Sequence, residues 1–304
     1  MKLLKNISKD FRRNKILYIL CIPIVAWYII FCYVPMTGIL MGFQNFSLTK
    51  GIFGSEWVGL KHFRDFFSSP YASRAIFNTL ALSFLDLLFN FPAPIIFALL
   101  LNEVVHKLFK RVTQTLSYMP YFISMVVMCG IIVDFTKSGG VISQLVATIT
   151  GTEVQNLLGN ASYFRSIYTV SNVWQGIGFG SIIYVAALSS VDQELYEAAR
   201  IDGANRWKQT LHITLPGIAS TIIIMLILKM GSMLSVGSEK ILLLYNPATY
   251  STADVISTLV YRKSFEEYNY GFSTAVGLFN SVVNTSLLLL TNWISRKFSE
   301  TSLF

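Results

Sequence analysis

Six long apolar stretches dominate the pattern of hydrophobic and polar positions along the chain. Each holds at most one charged residue, and they run over 16–49, 75–102, 112–133, 166–191, 213–238 and 268–295. Every stretch is long enough to cross about 30 Å of hydrocarbon as an α-helix that rises about 1.5 Å per residue. The pattern therefore predicts six transmembrane helices, at about 17–40, 76–101, 113–135, 165–189, 216–236 and 273–295.

The composition agrees with a membrane protein. Hydrophobic residues make up 53% of the chain and charged residues 13%, and the mean hydropathy is +0.55. A soluble domain averages about 25% charged residues. We therefore predict an all-α polytopic membrane protein with a single transmembrane domain over 1–304 and outer loops over 44–74, 136–164 and 237–272.

The orientation of the helices follows from the basic residues around the first stretch. Six of them precede it: Lys2, Lys5, Lys9, Arg12, Arg13 and Lys15. Such residues favour the cytoplasmic side of a first transmembrane helix. With six crossings Arg296 and Lys297 also lie inside, and 14 Lys and Arg then face the cytoplasm against 9 in the outer loops. Both termini are therefore predicted to be cytoplasmic, and the net charge of +8 is mainly a signal of topology.

The chain carries no recognisable chemistry of its own. Its cysteines and histidines show no metal-ligand spacing: they are Cys21, Cys32, Cys129, His62, His106 and His212. Phosphate-binding loops and hydrolase motifs are also missing from the sequence. The basic residues are not interleaved with aromatic residues as a nucleic-acid platform would require. We therefore predict no catalytic residue, no metal, no cofactor in this chain and no nucleic-acid partner.

A polar stretch, EAARIDGANRWKQTLHITLPG at 197–217, separates the fourth and fifth predicted helices. Gln193–Ile201 and Ala204–Leu211 are rich in helix-forming residues, and Asp202 and Gly203 lie between them. Because glycine accepts a positive φ, it can end one helix and turn the chain into the next. The loop over 190–216, which we call the knob, is therefore predicted to be a cytoplasmic helix-turn-helix projection.

The same stretch contains a spaced motif. Glu197, Ala198 and Ala199 are followed after three residues by Gly203, and nine residues later by Ile213-Thr214-Leu215-Pro216. This arrangement resembles the EAA motif of type I ABC importer permeases. The flanking text, SNVWQGIGFGSIIYVAALSSVDQELYEAARIDGA and LLLYNPATYSTADVISTLVYR, is similar to the carbohydrate-uptake branch of that family, and most similar to polygalacturonan or aldouronate-type oligosaccharide permeases. The resemblance covers nearly the whole chain.

The resemblance implies the type I permease fold, a place in the bacterial cytoplasmic membrane, and a machine built around it. Its partners are a second homologous permease, two ABC ATPases that bind ATP and Mg, an extracellular sugar-binding lipoprotein, membrane lipid and a sugar substrate. The chain is then a transporter subunit and not an enzyme. The positions that match the motif are expected to couple the permease to the ATPases: Glu197, Ala198, Ala199, Asp202, Gly203, Ile213, Leu215 and Pro216. The alternative is an amphipathic loop that lies on lipid.

Polar residues within the predicted helices are candidates for a substrate pathway, because polar side chains are costly in hydrocarbon. The candidates are Asn172, Trp174, Gln175, Lys229, Asn280 and Asn284. At about 1.5 Å per residue the amides of helices four and six lie at about 10 to 18 Å depth, near the level of Lys229. Amides can donate to and accept from sugar hydroxyls. They can equally join neighbouring helices, and Trp174 points about 100° away from Gln175, so it can instead pack or lie in an outer belt.

Lys229 leaves two alternatives open. A buried ammonium needs a partner or water, and Asp86 of the second helix is a candidate partner. If the two residues pair, they form a structural link; if they do not, Lys229 can meet an acidic sugar such as a uronate. Outside the membrane, the stretch from Asp254 to Phe265 is expected to be a short amphipathic surface helix, suited either to the membrane interface or to docking a partner, of which we favour docking because the stretch joins helices five and six.

Other functions stay open at this point. Within transport, the main rival is a type I permease for another solute, such as a peptide, polyamine or phosphate. From other classes, the rivals are a stand-alone channel and a membrane sensor. The knob argues against both, because neither needs a projection that docks an ATPase.

Overall fold

The computed structural model describes residues 13–298 and 302–303, and this part of the chain is mostly helical. Four of the basic residues used for the orientation, Lys2, Lys5, Lys9 and Arg12, lie outside the described residues. In chain order the elements are α1 (Lys15–Phe43), β1 (Gln44–Asn45), α2 (Gly51–Gly54), β2 (Glu56–Trp57), α3 (Lys61–Ser68), α4 (Pro70–Glu103), α5 (Lys107–Tyr118), α6 (Met125–Thr136), α7 (Val141–Thr150), α8 (Ala161–Leu188), α9 (Gln193–Ile201), α10 (Arg206–Gly217), α11 (Ala219–Gly231), α12 (Ser238–Leu244), α13 (Tyr250–Ala253), α14 (Ile256–Tyr261) and α15 (Tyr270–Phe298).

Four helical segments in the described residues are long and apolar enough to cross a membrane. They are α1, α4, the run Met125–Thr150 that comprises α6 and α7, and Tyr270–Lys297 of α15. Two further pairs are bent: α8 against α9 by 75°, and α10 against α11 by 60°. By length and composition the chain therefore has four spans, or up to six if each bent pair is one span. A helical, multi-pass membrane protein is confirmed, and the number six stays a prediction.

The chain divides into two compact units. The first comprises residues 1–66 and 263–278. In it, β1 and β2 pair antiparallel, with Gln44 opposite Trp57, and the Phe43 ring stacks on that of Trp57 at 5.6 Å between centroids. His62 supports this small hairpin, because its Nε2 lies 2.9 Å from the carbonyl oxygen of Gln44. No residue of Lys15–Tyr28 is buried, which suits a helix that faces lipid.

The second unit comprises residues 67–262 and 279–304, and α8 packs closely along α4 within it. Glycines allow this approach. A side chain at Gly180 would meet Pro94 at 3.0 Å, and one at Gly178 would overlap the backbone of Ser117 at the end of α5. Small residues let membrane helices come together in this way. A buried apolar cluster that includes Ile95, Tyr184 and other residues of the two helices forms there.

The third predicted helix, at 113–135, is not one helix. Helix α5 ends at Tyr118, a 3₁₀ turn follows over Met119–Phe122, and α6 begins at Met125. Pro120 lies in the turn, and proline has no backbone N–H to continue an α-helical ladder. Ser124 then caps α6 by accepting a hydrogen bond from the N–H of Val127. The sequence correctly predicted helical structure in this apolar run, but it did not predict the break between α5 and α6.

The fifth predicted helix, at 216–236, is also shorter than expected. Helix α11 covers Ala219–Gly231, and residues 232–237 are not helical. Glycines flank this segment at Gly231 and Gly237, and serines occupy Ser232 and Ser235. Such residues favour turns over helix. Helix α11 also starts later than predicted, because the knob helix α10 continues past its predicted end at Leu211 to Gly217 and the chain then bends by 60°.

Side chains from distant helices satisfy the backbone of the broken segment. The N–H of Leu234 donates to Oδ1 of Asn284 at 2.9 Å, and the Ser83 hydroxyl donates to the carbonyl of Met233 at 2.6 Å. Irregular backbone at membrane depth is tolerated where protein supplies such partners or where it lines a cavity. Residues 232–237 are therefore an irregular segment that side chains of other helices stabilise.

The stretch that begins at Asp254 was expected to be an amphipathic surface helix, and this expectation was wrong at its start. The Asp254 side chain is fully buried and accepts from Arg74 at 2.9 Å and from Arg262 at 2.8 Å. The Thr258 hydroxyl donates to the same carboxylate at 2.9 Å. Because a buried carboxylate needs such partners, this stretch anchors α13 and α14 in the core of the second unit.

Candidate functional site

A polar cavity of about 310 Å³ lies in the second unit, among α4, α8, α11 and the broken segment. Polar side chains dominate its lining: Ser83, Asp86, Asn90, Tyr121, Tyr168, Asn172, Gln175, Lys229, Ser232, Ser235 and Lys240. Its volume is at the lower end of the range of about 300 to 1,000 Å³ that small-molecule sites occupy. A polar cavity among otherwise apolar helices marks a place for a polar ligand.

Three of the six candidate pathway residues lie on this cavity. Asn172, Gln175 and Lys229 line it. Trp174 does not, because it follows Asn172 by two residues and faces another side of α8. Its ring lines a separate apolar cavity of about 470 Å³, together with Ile131 and other residues of α6 and α7.

The two candidates on α15 lie apart from this lining. Asn284 is buried and accepts from Leu234 N–H while its Nδ2 lies 3.1 Å from the Ser235 hydroxyl oxygen. Asn284 thus supports the broken segment, which forms one wall of the cavity. Asn280 is half-buried, and its Oδ1 has no hydrogen-bond partner among the described residues.

Lys229 forms an ion pair with Asp86, as one of the two sequence alternatives expected. Asp86 also accepts from Nδ2 of Asn90 at 2.8 Å. It begins a π-helical turn, Asp86–Asn90, in which Phe91 N–H bonds to the carbonyl of Asp86. Pro92 and Pro94 follow at once and cannot donate to the ladder. The wide turn therefore accommodates these prolines beside the cavity.

Lys240 is the charged lining residue that the sequence analysis missed, and several neutral polar lining residues were missed as well. It lies in α12, between the fifth and sixth predicted spans and outside both. Its residue is 2% exposed, its Nζ donates to Oδ1 of Asn172 at 2.7 Å, and it lies 5.7 Å from the ring centroid of Tyr168. Burial lowers the pKa of Lys240 to about 8. The glycines and serines among residues 231–238 could have indicated that the fifth helix ends early, because such residues favour turns over helix.

A second cavity of about 350 Å³ continues along the same helices. It shares Asn90, Gly176, Lys229 and Ser232 with the polar cavity. The rest of its lining is more apolar and includes Tyr184 near the end of α8. Together the two cavities trace a groove along α4, α8 and α11.

The knob has the predicted helix-turn-helix form. Asp192 caps α9 by accepting from the N–H of Glu194 at 2.9 Å. After α9, Gly203 has a φ of 76°, and the N–H of Ala204 donates back to the carbonyl of Ala199 at 2.8 Å. Asn205 then caps α10 by accepting from the N–H of Lys208. These hydrogen bonds fix the turn between the two helices.

Two further contacts hold the knob in place. The hydroxyls of Tyr196 and Thr214 lie 3.0 Å apart and link α9 to α10 within the knob. Arg206 forms an ion pair of 3.2 Å with Glu103 at the end of α4. The knob thus has a contact between its own helices and a contact with the end of α4.

The residues expected to couple to an ATPase lie on or near the surface of the knob. Five are exposed: Glu197, Ala198, Asp202, Gly203 and Pro216; three are half-buried: Ala199, Ile213 and Leu215. Two large apolar side chains beside them are also exposed, Ile201 by 87% and Trp207 by 70%. Exposed apolar side chains such as these are available to a protein partner or to the membrane surface.

Comparison with known proteins gives a consistent result. The family of binding-protein-dependent transport system inner membrane components matches residues 90–300. Protein LplB of Bacillus subtilis (strain 168) is 46% identical over 96% of this chain and 92% of its own length. The polygalacturonan/rhamnogalacturonan transport system permease protein YteP of the same organism is 42% identical over 96% of this chain and 91% of its own.

Solved structures agree with these relatives. A chain in the crystal structure of a bacterial ABC transporter involved in the import of the acidic polysaccharide alginate has a TM-score of 0.89 and 42% identity, over 96% of this chain and 99% of that one. A second structure, of a bacterial alginate ABC transporter in complex with an alginate pentasaccharide-bound periplasmic protein, has a TM-score of 0.90 and 42% identity, over 97% and 99%.

Proposed function

Because this chain belongs to the family of binding-protein-dependent transport system inner membrane components, we propose that it is the permease subunit of an ATP-driven importer that passes an oligosaccharide into a bacterial cell. The resemblance drawn from residues 197–216 is thereby confirmed at the level of the family. The substrate class, the partners and the residues in contact with them are parts of the proposal.

The polar cavity is the observation that carries the proposal. Amides of Asn172 and Gln175 and hydroxyls of Ser83, Ser232 and Tyr168 line one space. Each can donate to or accept from the hydroxyls of a sugar ring. Such a lining suits a neutral or acidic carbohydrate better than an apolar solute. YteP, which is 42% identical, is named for the transport of polygalacturonan and rhamnogalacturonan.

The proposed assembly has two permeases side by side. We infer six transmembrane helices with both termini in the cytoplasm, so that each bent pair counts as one span with its adjoining knob helix in the cytoplasm. A second homologous permease covers the groove along α4, α8 and α11, and lipid surrounds the outer helices. A sugar-binding protein delivers the oligosaccharide from outside. Support for this last partner comes from the similar alginate transporter, whose structure contains a periplasmic protein.

In the proposed mechanism, the knob couples ATP hydrolysis to movement of the permease. Two ABC ATPases, which bind ATP and Mg, dock against the knob surface around Glu197, Gly203 and the exposed Trp207. When they close on ATP they move the knob as a rigid body, and α10 and the Arg206–Glu103 contact carry this movement to the cavity helices. The chain itself contributes the passage and binds no nucleotide.

Transport by the purified complex tests the proposal. The chain is co-purified with its second permease, ATPases and binding protein and placed in proteoliposomes that contain ATP. We expect labelled oligosaccharide to accumulate only when both ATP and the binding protein are present. A dipeptide, spermidine and phosphate serve as matched alternative solutes. Accumulation of one of these without any oligosaccharide would contradict the carbohydrate assignment, and flux without ATP would indicate a channel.

A further inference from the structure

The charges that line the polar cavity do not balance. Among its lining residues, Asp86 carries the negative charge, and Lys229 and Lys240 carry the positive ones. Lys229 is paired with Asp86. Within the described residues, Lys240 forms no ion pair with a carboxylate. One positive charge in the cavity is therefore left without a carboxylate partner in the described part of the chain.

The ammonium of Lys240 has free donors. It carries three N–H groups, and the structure uses one of them, to Oδ1 of Asn172. The Tyr168 ring lies beside the charge and cannot accept a conventional N–H···O bond. Two donors thus remain, and they match the two oxygens of a carboxylate. An uncompensated buried charge is costly, so such a residue is expected to meet an anion in the working cycle.

The geometry also sets the direction of this ammonium. Lys240 is held by its own helix, α12, and the Asn172 amide restrains its tip. Asn172 and Gln175, one turn apart on α8, line the cavity beside it. A sugar ring whose carboxylate meets Lys240 can therefore place its hydroxyls against these amides. Lys229 is less suited to the same task, because Asp86 already neutralises it.

We propose that Lys240 binds the carboxylate of an acidic sugar unit in the polar cavity, and that the permease thereby selects uronate-containing oligosaccharides over neutral ones. This inference rests on the proposed function, since it names the substrate class of the same cavity. Lys240 is then the specificity-determining residue, and Asn172 positions it.

Two substitutions and a control test the inference. Lys240→Gln removes the charge and keeps a polar side chain, whereas Lys240→Arg keeps the charge. Lys137→Gln is the matched control, because it removes one positive charge at an exposed residue, 58% exposed, that does not line the cavity. The probes are tetragalacturonate and its carboxyl-reduced, neutral counterpart, each loaded to saturation on the binding protein.

We expect Lys240→Gln to lower uptake of tetragalacturonate per assembled complex by about 10- to 100-fold, as the loss of a hydrogen-bonded charge implies. Uptake of the neutral tetrasaccharide should change less than threefold. Lys240→Arg and Lys137→Gln should keep at least a third of the parental rate with both probes. Equal losses with both probes would show that Lys240 is only structural and would overturn the inference.

Charge restoration gives an independent readout. In a variant that lacks Cys21, Cys32 and Cys129, Lys240→Cys is treated with aminoethyl methanethiosulfonate, which restores an ammonium, or with the neutral methyl methanethiosulfonate. We expect only the first reagent to restore uptake of tetragalacturonate. Restoration by both reagents, or no reaction with either, contradicts a carboxylate site open to the cavity. If the parental complex takes up no neutral sugar, the two probes cannot be compared, and this experiment then tests the role of the Lys240 charge on its own.

Different results would contradict the proposed function and the proposed role of Lys240. If the parental complex transports no carbohydrate at all, the proposed function is wrong. If it transports neutral oligosaccharides and leaves tetragalacturonate outside, the proposed function stands and the role of Lys240 is overturned.

Discussion

Single side chains hold the irregular parts of this fold. Asn284 accepts from the N–H of Leu234 and contacts the hydroxyl of Ser235, 50 and 49 residues earlier in the chain. Asn280, one helical turn away, has a buried Oδ1 without a partner in the part of the chain that the structure describes. Two amides of the same helix therefore differ in what they contribute to stability.

We predict that Asn284→Leu destabilises the complex and Asn280→Leu does not. The first change leaves a buried N–H unsatisfied, which costs about 1 to 3 kcal/mol. The second removes a polar atom that has no partner, so its effect should be near zero or stabilising. Thermal unfolding in detergent, followed by the monodisperse fraction of the complex, measures both. A larger loss of stability in Asn280→Leu would contradict this account.

The same residues show where sequence reasoning stops. Asn172, Gln175 and Lys229 were predicted from depth along straight helices, and the structure brings them to one cavity. Lys240 was not predicted, because its place depends on the break at 232–237. That break is held by Ser83 and Asn284, which are far away in sequence. A composition pattern contains no information about such distant partners.

Helices were predicted best where residues close in sequence determine where the helix begins and ends. Helix α9 begins and ends where predicted, because Asp192 caps its start and Gly203 turns the chain after its end. The long apolar runs likewise became helices. The helix breaks at Pro120 and at 232–237 were missed. A break within an apolar run is tolerated when polar groups elsewhere in the protein bond to the freed backbone, and the run itself does not show this. The bent start of the fifth span, 60° between α10 and α11, belongs to the same class.

The turn of the knob supports a prediction at this scale. Gly203 has a φ of 76°, and beyond the glycine and its two chain neighbours no heavy atom of the described residues lies within 4 Å of the position that a Cβ would take. The Cβ of Gly203→Val therefore meets open space, and the change strains the backbone by about 1 to 3 kcal/mol. We expect the variant to insert normally and to lose its ATPase subunits or its sugar-stimulated ATP hydrolysis.

A matched control separates strain from docking. Gly151, after α7, has a φ of 68° and the same open surroundings. Gly151→Val should lose similar stability and keep its ATPase subunits. Co-purification of the ATPases and their ATP hydrolysis measure the difference. If both variants retain the ATPases equally, Gly203 has no part in the docking surface.

The molecule as a whole is a multi-pass membrane protein, and its orientation is predicted from its basic residues. We predict that single cysteines at Ser8 and Ser299, in a variant without native cysteines, are shielded from an impermeant maleimide in intact cells. A cysteine at the exposed Ser251 should react. Permeabilised cells provide the control, because all three should then be labelled. Both Ser8 and Ser299 lie outside the described residues. Labelling of Ser8 from outside would rule out six spans with cytoplasmic termini.

Ile201 and Trp207, the exposed apolar residues of the knob, also bear on how the cell counts its subunits. In the proposed assembly, a permease made without its ATPases leaves these side chains exposed to the cytoplasm, where chaperones and proteases act on uncovered hydrophobic surface. Docking of the proposed ATPases would cover them. The surface proposed to receive mechanical work thus also reports whether the subunit has found its complex, and orphan copies are expected to be short-lived while assembled ones persist.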